Sequence, residues 1–122
     1  MICGVPNLAF TFGYTNASWT LKSDLAATYV CRLLNRMDDW GFVSCTPFEP
    51  DPSAPRAPYL DLSSGYVERS GATFPKQASM APWRVRHNYP VDFLIFRYGA
   101  LDDGMMFSRR APEREWAQRS TV

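Results

Sequence analysis

The hydrophobic pattern predicts one long amphipathic helix in the first third of the chain. Apolar side chains recur at every fourth position, at Leu21, Leu25, Tyr29, Leu33 and Met37. This spacing places them on one face of a helix. We expect the helix to begin at Ala17 with Asn16 as its N-cap, because an asparagine side chain can accept a hydrogen bond from the free amides of the first turn. Gly41 is suited to end it.

A short apolar segment from Leu8 to Phe12 precedes this helix and predicts a buried strand. Gly13 breaks the strand, and Tyr14 and Thr15 complete the turn. A strand that turns into a helix N-terminus presents free amides and the positive end of the helix dipole, which suits an anion. Most such units in α/β domains only reverse the chain, so the geometry alone does not define a site.

Five prolines lie between Thr46 and Pro58. Proline fixes one backbone angle and removes an amide donor, so this composition predicts an extended connector with little regular structure. A proline-rich ligand for a partner domain is the less favoured alternative.

Two shorter helices are expected beyond the connector. Ser64 is suited to cap a brief helix over residues 65–73, and Asn88 to cap a second helix that Gly99 ends. The sequence Asp102-Asp103-Gly104 predicts a turn before the apolar residues 105–107.

Composition excludes several classes of function. The 122 residues carry a net charge of +1, which provides no global field for nucleic acid or an anionic membrane. No apolar run reaches membrane-spanning length, and no signal peptide is indicated. Three cysteines without tight spacing do not suggest a disulfide framework, so we expect a reducing, cytoplasmic setting.

Polar and charged side chains elsewhere suggest no catalytic centre. The basic residues Lys76, Arg84, Arg86 and His87 lie near aromatic side chains, but we favour a solvated face or salt bridges over nucleic acid binding. His87 has no cysteine or acid at ligand spacing, so no metal site is expected. Asp38 and Asp39 should face water, and burial at mid-helix should disfavour Cys31 as a nucleophile.

Several sequence stretches together resemble one enzyme family. They are GVPNLAF, GYTNASWTLK, YVCRLLN, SSGYVERS, FPKQ, PWRVRHNYPVD and DDGMMFS, which span Gly4 to Ser108. They resemble the C-terminal part of flavin-dependent monooxygenases of the Baeyer–Villiger type, and within these the ethionamide-activating branch. Two departures are Ala78, where such proteins usually have glycine, and the proline-rich stretch.

The resemblance implies an enzyme with two dinucleotide-binding folds, one for FAD and one for NADPH. Neither glycine-rich fingerprint occurs in this chain, so we expect an α/β fragment that is incomplete as an independent fold. Residues 1–41 would be the closing strand and helix of an FAD-binding Rossmann-like domain. Residues 42–58 would be the connector, 59–108 a small irregular or helical C-terminal extension, and 109–122 a disordered tail. The partners would be the upstream FAD and NADPH domains.

The resemblance also implies which residues approach the cofactor. It places five consecutive residues near the pyrimidine edge of the flavin: Thr15, Asn16, Ala17, Ser18 and Trp19. Tyr14 and Trp83 would form part of the substrate pocket, although Trp19 is equally suited to a packing role. The implied reaction converts a ketone to an ester or lactone, or oxidises a sulfur compound. The alternative is a non-catalytic remnant, or an interaction module that folds only with a partner chain.

Overall fold

The computed structural model describes residues 2–49, 51, 53–58 and 76–109. Within these residues it contains two helices and four short strands. In chain order they are α1 (Trp19–Trp40), β1 (Ser44–Pro47), β2 (Arg56–Pro58), β3 (Lys76–Ala78), α2 (Tyr89–Tyr98) and β4 (Met105–Ser108). The expected mixture of helix and sheet is confirmed, and the described strands form two small antiparallel sheets.

Helix α1 forms as the apolar spacing predicts, but it begins two residues later than expected. Ser18, not Asn16, is the N-cap residue, and its side chain makes no capping hydrogen bond. The prediction of Asn16 as the cap is therefore wrong. The physical reason is that the Asn16 amide group points to another segment, where its Nδ2 atom donates to the carbonyl oxygen of His87 at 3.4 Å.

The C-terminal end of α1 is confirmed at Gly41. This glycine adopts the left-handed conformation, with φ of 66°, and its amide donates to the Asp38 carbonyl. Only part of the predicted apolar face is covered. Leu25 and Met37 are buried, whereas Leu21 is exposed.

No strand forms between Leu8 and Phe12, so that prediction is wrong for the structure of this chain. An apolar segment becomes a strand only where a neighbouring strand satisfies its backbone groups. The residues just before this segment instead lie alongside β1 and donate backbone hydrogen bonds to it. The amide of Gly4 donates to Pro47 at 2.8 Å, and the amide of Asn7 donates to Cys45 at 2.9 Å.

Strands β1 and β4 pair antiparallel with Cys45 opposite Phe107. The sheet packs on the C-terminal half of α1 and forms the main hydrophobic core. The buried members are Met37, Cys45 and Met105, and the half-buried side chains around them are Tyr29, Leu33, Phe42 and Phe107. The predicted turn before β4 is confirmed, with Gly104 at φ of 68°.

The proline-rich stretch holds more regular structure than expected. β1 ends at Pro47, and β2 covers Arg56–Pro58 and pairs antiparallel with β3. Both prolines are the last residues of their strands, where a missing amide donor costs the ladder little. The prediction of little regular structure is therefore wrong at the two ends of this stretch, whereas the described residues between β1 and β2 belong to no helix or strand.

Helix α2 begins and ends where the sequence predicts. The Asn88 side chain accepts a hydrogen bond from the amide of Val91, Pro90 lies in the first turn, and Gly99 follows the last helical residue. α2 packs against α1, and Arg32 of α1 donates to the carbonyl oxygens of Phe96 at 2.7 Å and Gly99 at 2.9 Å. The expected helix over 65–73 and nearly all of the expected tail lie outside the described residues.

Candidate functional site

The turn between Gly13 and α1 presents a run of exposed residues. Tyr14 is buried, but Thr15 to Trp19 are all exposed to solvent. The Trp19 ring remains 51% exposed even though it packs against Gly13 and lies 4.9 Å from the Phe12 ring. We call residues 13–19 the glycine turn.

The start of α1 offers hydrogen-bond donors toward solvent. The Ser18 side chain does not cap the first amides of the helix, and its hydroxyl lies 2.9 Å from that of Thr20. Uncapped amides at a helix N-terminus carry partial positive charge and favour a negatively charged or carbonyl-rich ligand. The five consecutive residues expected at the flavin all lie on this exposed turn, and Ser18 rather than Asn16 occupies the cap position.

The segment before α2 holds the glycine turn from one side. The Asn16 side chain donates to the His87 carbonyl, and Lys22 donates to the Arg86 carbonyl at 3.1 Å. The Tyr14 and His87 rings meet edge to face with 6.3 Å between their centroids. The C-terminal part of the chain thus fixes the position of the turn.

A buried polar cluster joins the turn to both helices. One carboxylate oxygen of Asp92 accepts hydrogen bonds from the Tyr14 hydroxyl at 2.7 Å and from the Lys22 ammonium at 2.6 Å. Asp92 and Tyr14 are each only 3% exposed. Burial, together with the bond to Asp92 and its negative charge, raises the pKa of the Tyr14 hydroxyl far above its usual range.

The two residues expected in a substrate pocket have different surroundings. Tyr14 is inside the polar cluster, with its hydroxyl already engaged. Trp83 is half-buried beside Gly104, and its indole Nε1 atom is buried without a hydrogen-bond partner in the described part of the chain. Tyr14 is therefore a packing and positioning residue in this structure, while the indole donor of Trp83 has no partner among the described residues.

The other chemical candidates have simple environments. Asp38, Asp39 and His87 are exposed. Cys31 is exposed as well, so the expected burial of this thiol at mid-helix is wrong. Cys31 lies on the solvent-facing side of α1, whereas the next residue, Arg32, is half-buried.

Within the described residues, no group of three acidic, cysteine or histidine side chains could hold a metal ion. None of the helices there has the length and apolar character to cross a bilayer.

Sequence reasoning missed the pairing of Lys22 with Asp92. The sequence nevertheless contains a signal for each of the two residues. A lysine in the first turn of a helix opposes the helix dipole and needs a compensating partner. Asp92 interrupts the otherwise apolar sequence VDFLIF, where a charged residue has to be paired if the segment is buried.

Comparison with known proteins shows close relatives of one kind. FAD-containing monooxygenase EthA of Mycobacterium tuberculosis is 48% identical over 111 residues, covering 90% of this chain and 23% of the relative. EthA of Mycolicibacterium smegmatis is 48% identical over 103 residues, covering 84% of this chain and 21% of the relative. A protein of Acinetobacter baylyi named "Probable FAD-binding monooxygenase AlmA" is 42% identical over 107 residues, covering 87% and 22%.

Over most of its length the chain is thus similar to a segment of proteins named FAD-containing or FAD-binding monooxygenases. The family resemblance noted in the sequence is thereby confirmed. The chain spans less than a quarter of the length of these relatives. No family model matches the chain, and no solved structure matches it.

Proposed function

We propose that this chain is the C-terminal part of an FAD-containing, NADPH-dependent monooxygenase of the Baeyer–Villiger type. Its substrates would be small ketones, converted to esters or lactones, or sulfur compounds. The observation that carries the proposal is the 48% identity over 111 residues to proteins named FAD-containing monooxygenases. Such identity over most of the chain is far higher than that of proteins that share only a fold element.

The glycine turn is the part of this chain that best fits FAD. The pyrimidine edge of a flavin carries carbonyl oxygens, and it gains negative charge on reduction. The turn offers the uncapped amides at the start of α1 and the hydroxyl of Ser18. A helix N-terminus stabilises a nearby negative charge by about 0.3–1 kcal/mol when exposed and about 2 kcal/mol when partly buried. The donor set therefore fits the flavin, with Thr15 to Trp19 as the contact residues.

Bound FAD, reduced by NADPH, would supply the activation of oxygen and its transfer to the substrate. The residues of this chain would orient and support the ring. The amides of Ser18 and Trp19, at the start of α1, would oppose the negative charge of the pyrimidine edge, and the exposed Trp19 ring would exclude water from one side. Trp83 would contribute to the pocket wall its indole donor, which lacks a partner within the described part of the chain.

The rest of the enzyme would be the main partner of this segment. Apolar side chains remain exposed on the N-terminal stretch at Ile2, Val5, Leu8 and Phe10. Uncovered apolar side chains of this kind favour burial against further elements, and residues 8–12 would become the closing strand of a Rossmann-like FAD domain. The rest of the enzyme would also bind NADPH. The free thiols of Cys3, Cys31 and Cys45 support a cytoplasmic enzyme.

The contact of FAD with the turn can be tested by removing one amide. Ser18 has φ of −58°, a value that proline adopts without strain. In the FAD-loaded enzyme that contains this chain, we expect Ser18→Pro to weaken FAD binding by about 10-fold or more, since a hydrogen bond to a charged group is worth about 1.5–3 kcal/mol. Flavin fluorescence on dilution measures the dissociation.

Ser18→Ala is the matched control, because it removes the hydroxyl and keeps the amide. We expect it to weaken binding less than Ser18→Pro does. Equal FAD affinity for Ser18→Pro and the parent enzyme, with unchanged helix content by circular dichroism, would remove the turn from the flavin site. An enzyme that binds no FAD at all would favour the non-catalytic alternative.

A further inference from the structure

The carboxylate of Asp92 lies where three parts of the chain meet. It projects from the first turn of α2, and it accepts hydrogen bonds from Tyr14 in the glycine turn and from Lys22 in the first turn of α1. The Lys22 side chain is 13% exposed and that of Asp92 4%. This is a nearly dry ion pair with a phenol as its third member.

The environment of Lys22 leaves its ammonium group little freedom. It donates to Asp92 and to the Arg86 carbonyl, and it lies 4.8 Å from the centroid of the Tyr14 ring and 5.4 Å from that of Phe96. A buried ion pair is rarely a net source of stability, because removing both charges from water costs several kcal/mol per ion. The presence of the pair is therefore better explained by the placement of charge and of the groups that it holds.

The position of Lys22 on α1 gives the pair its consequence for the turn. A cation in the first turn of a helix adds to the positive end of the dipole and would disfavour the helix if left alone. Asp92 balances that charge from the neighbouring helix. The same carboxylate fixes the hydroxyl of Tyr14, which directly precedes the exposed residues 15–19. A change in Asp92 therefore alters both the charge beside the turn and the anchoring of the turn.

We propose that Asp92 is a positioning residue of the flavin site. It holds Tyr14 and balances the charge of Lys22, so that the glycine turn presents a defined electrostatic potential to FAD. The inference rests on the proposed function, and it adds to it a role for α2, an element with no expected cofactor contact. The residues act through the turn and do not need to touch the flavin.

The test is the reduction potential of bound FAD in the full enzyme, because opposite charge changes must shift it in opposite directions. Asp92→Asn leaves the Lys22 cation unbalanced, which favours the reduced, more negative flavin and should raise the potential. Lys22→Met leaves the carboxylate unbalanced and should lower it. The double variant Lys22→Met/Asp92→Asn restores neutrality, and its potential should return toward that of the parent enzyme.

Two further variants separate charge from general damage. Asp102→Asn makes the same chemical change in an exposed pair with Arg36 at 4.0 Å, and it should leave the potential unchanged. Tyr14→Phe keeps the ion pair and removes only the anchoring hydroxyl. It should loosen FAD binding without the charge-dependent shift. If Asp92→Asn does not fold, the double variant and Tyr14→Phe still carry the test, since neither leaves an unpaired buried charge.

Shifts of the same sign in Asp92→Asn and Lys22→Met, or no shift in either, would overturn the inference. Unchanged FAD affinity in Tyr14→Phe would also contradict it. These outcomes are distinct from failure of the proposed function. That failure would appear as absent FAD in the parent enzyme, or as an affinity that Ser18→Pro does not change.

Discussion

Tyr14 is the residue at which burial, hydrogen bonding and charge act together. Its raised pKa means that the folded chain keeps this proton at a pH where the unfolded chain, with a tyrosine pKa of about 10, releases it. The contribution of this group to the free energy of unfolding is thus fully present and independent of pH below about pH 10, and it is lost as the pH rises above that value.

Tyr14→Phe should reduce this alkaline loss of stability. The variant should be less stable by about 1 kcal/mol at neutral pH, because one hydrogen bond to Asp92 is lost. Its stability should then fall less steeply above about pH 10. Urea unfolding between neutral and alkaline pH measures both effects. Parallel curves of unfolding free energy against pH for the two proteins would show that the Tyr14 proton does not contribute to the alkaline loss of stability. Tyr29, whose pKa burial also raises, remains in both proteins.

Two glycines should respond to alanine for different reasons. At Gly13 an added Cβ would overlap the Trp19 indole, whereas at Gly41 there is open space but φ is 66°. We expect Gly13→Ala to cost about 1–3 kcal/mol through overpacking and Gly41→Ala about 1–2 kcal/mol through backbone strain.

In a protein whose other three tryptophans are replaced by phenylalanine, Trp19 fluorescence separates the two mechanisms. Gly13→Ala should shift the Trp19 emission because the ring has to move, and Gly41→Ala should leave that emission unchanged. An unaltered spectrum in a destabilised Gly13→Ala protein would contradict the close approach of Gly13 and Trp19.

Among the helices, the two asparagines expected as N-caps have different roles. Asn88 accepts from the Val91 amide, so Asn88→Ala should destabilise the protein by about 0.5–2 kcal/mol. Asn16 makes only an exposed bond to the His87 carbonyl, so Asn16→Ala should cost less. Thermal unfolding of the two variants makes the comparison. A larger loss for Asn16→Ala would reinstate it as the cap. Because the family resemblance places Asn16 near the flavin, Asn16→Ala in the full enzyme should also reduce FAD retention.

The sequence predicted those elements whose determinants lie within the element itself. The apolar spacing of α1, the Asn88 cap and the glycines at 41, 99 and 104 act over a few residues, and each is confirmed. The strand at 8–12, the strands β1 and β2 and the Lys22–Asp92 pair depend on groups far away in the chain. The pair joins positions 70 residues apart, a relation that no local pattern contains.

The candidate site was predictable only in part for the same reason. The run from Thr15 to Trp19 was recognisable because its sequence resembles a known family. The anchoring of that run by Tyr14, Asp92 and the 86–88 segment arises from tertiary packing. Trp83 shows the limit at a single residue, since its buried indole donor lacks a partner in the described residues and the sequence alone gives no sign of this.

For the molecule as a whole, the central claim is that the glycine turn faces the flavin of a larger FAD-containing enzyme. A crystal structure of that enzyme with FAD bound would test it directly, through the distance from the pyrimidine edge of the isoalloxazine to the amide nitrogens of Ser18 and Trp19 at the start of α1. We predict at least one distance of about 2.7–3.2 Å, as in a direct hydrogen bond. A flavin that contacts none of residues 15–19 would contradict the account.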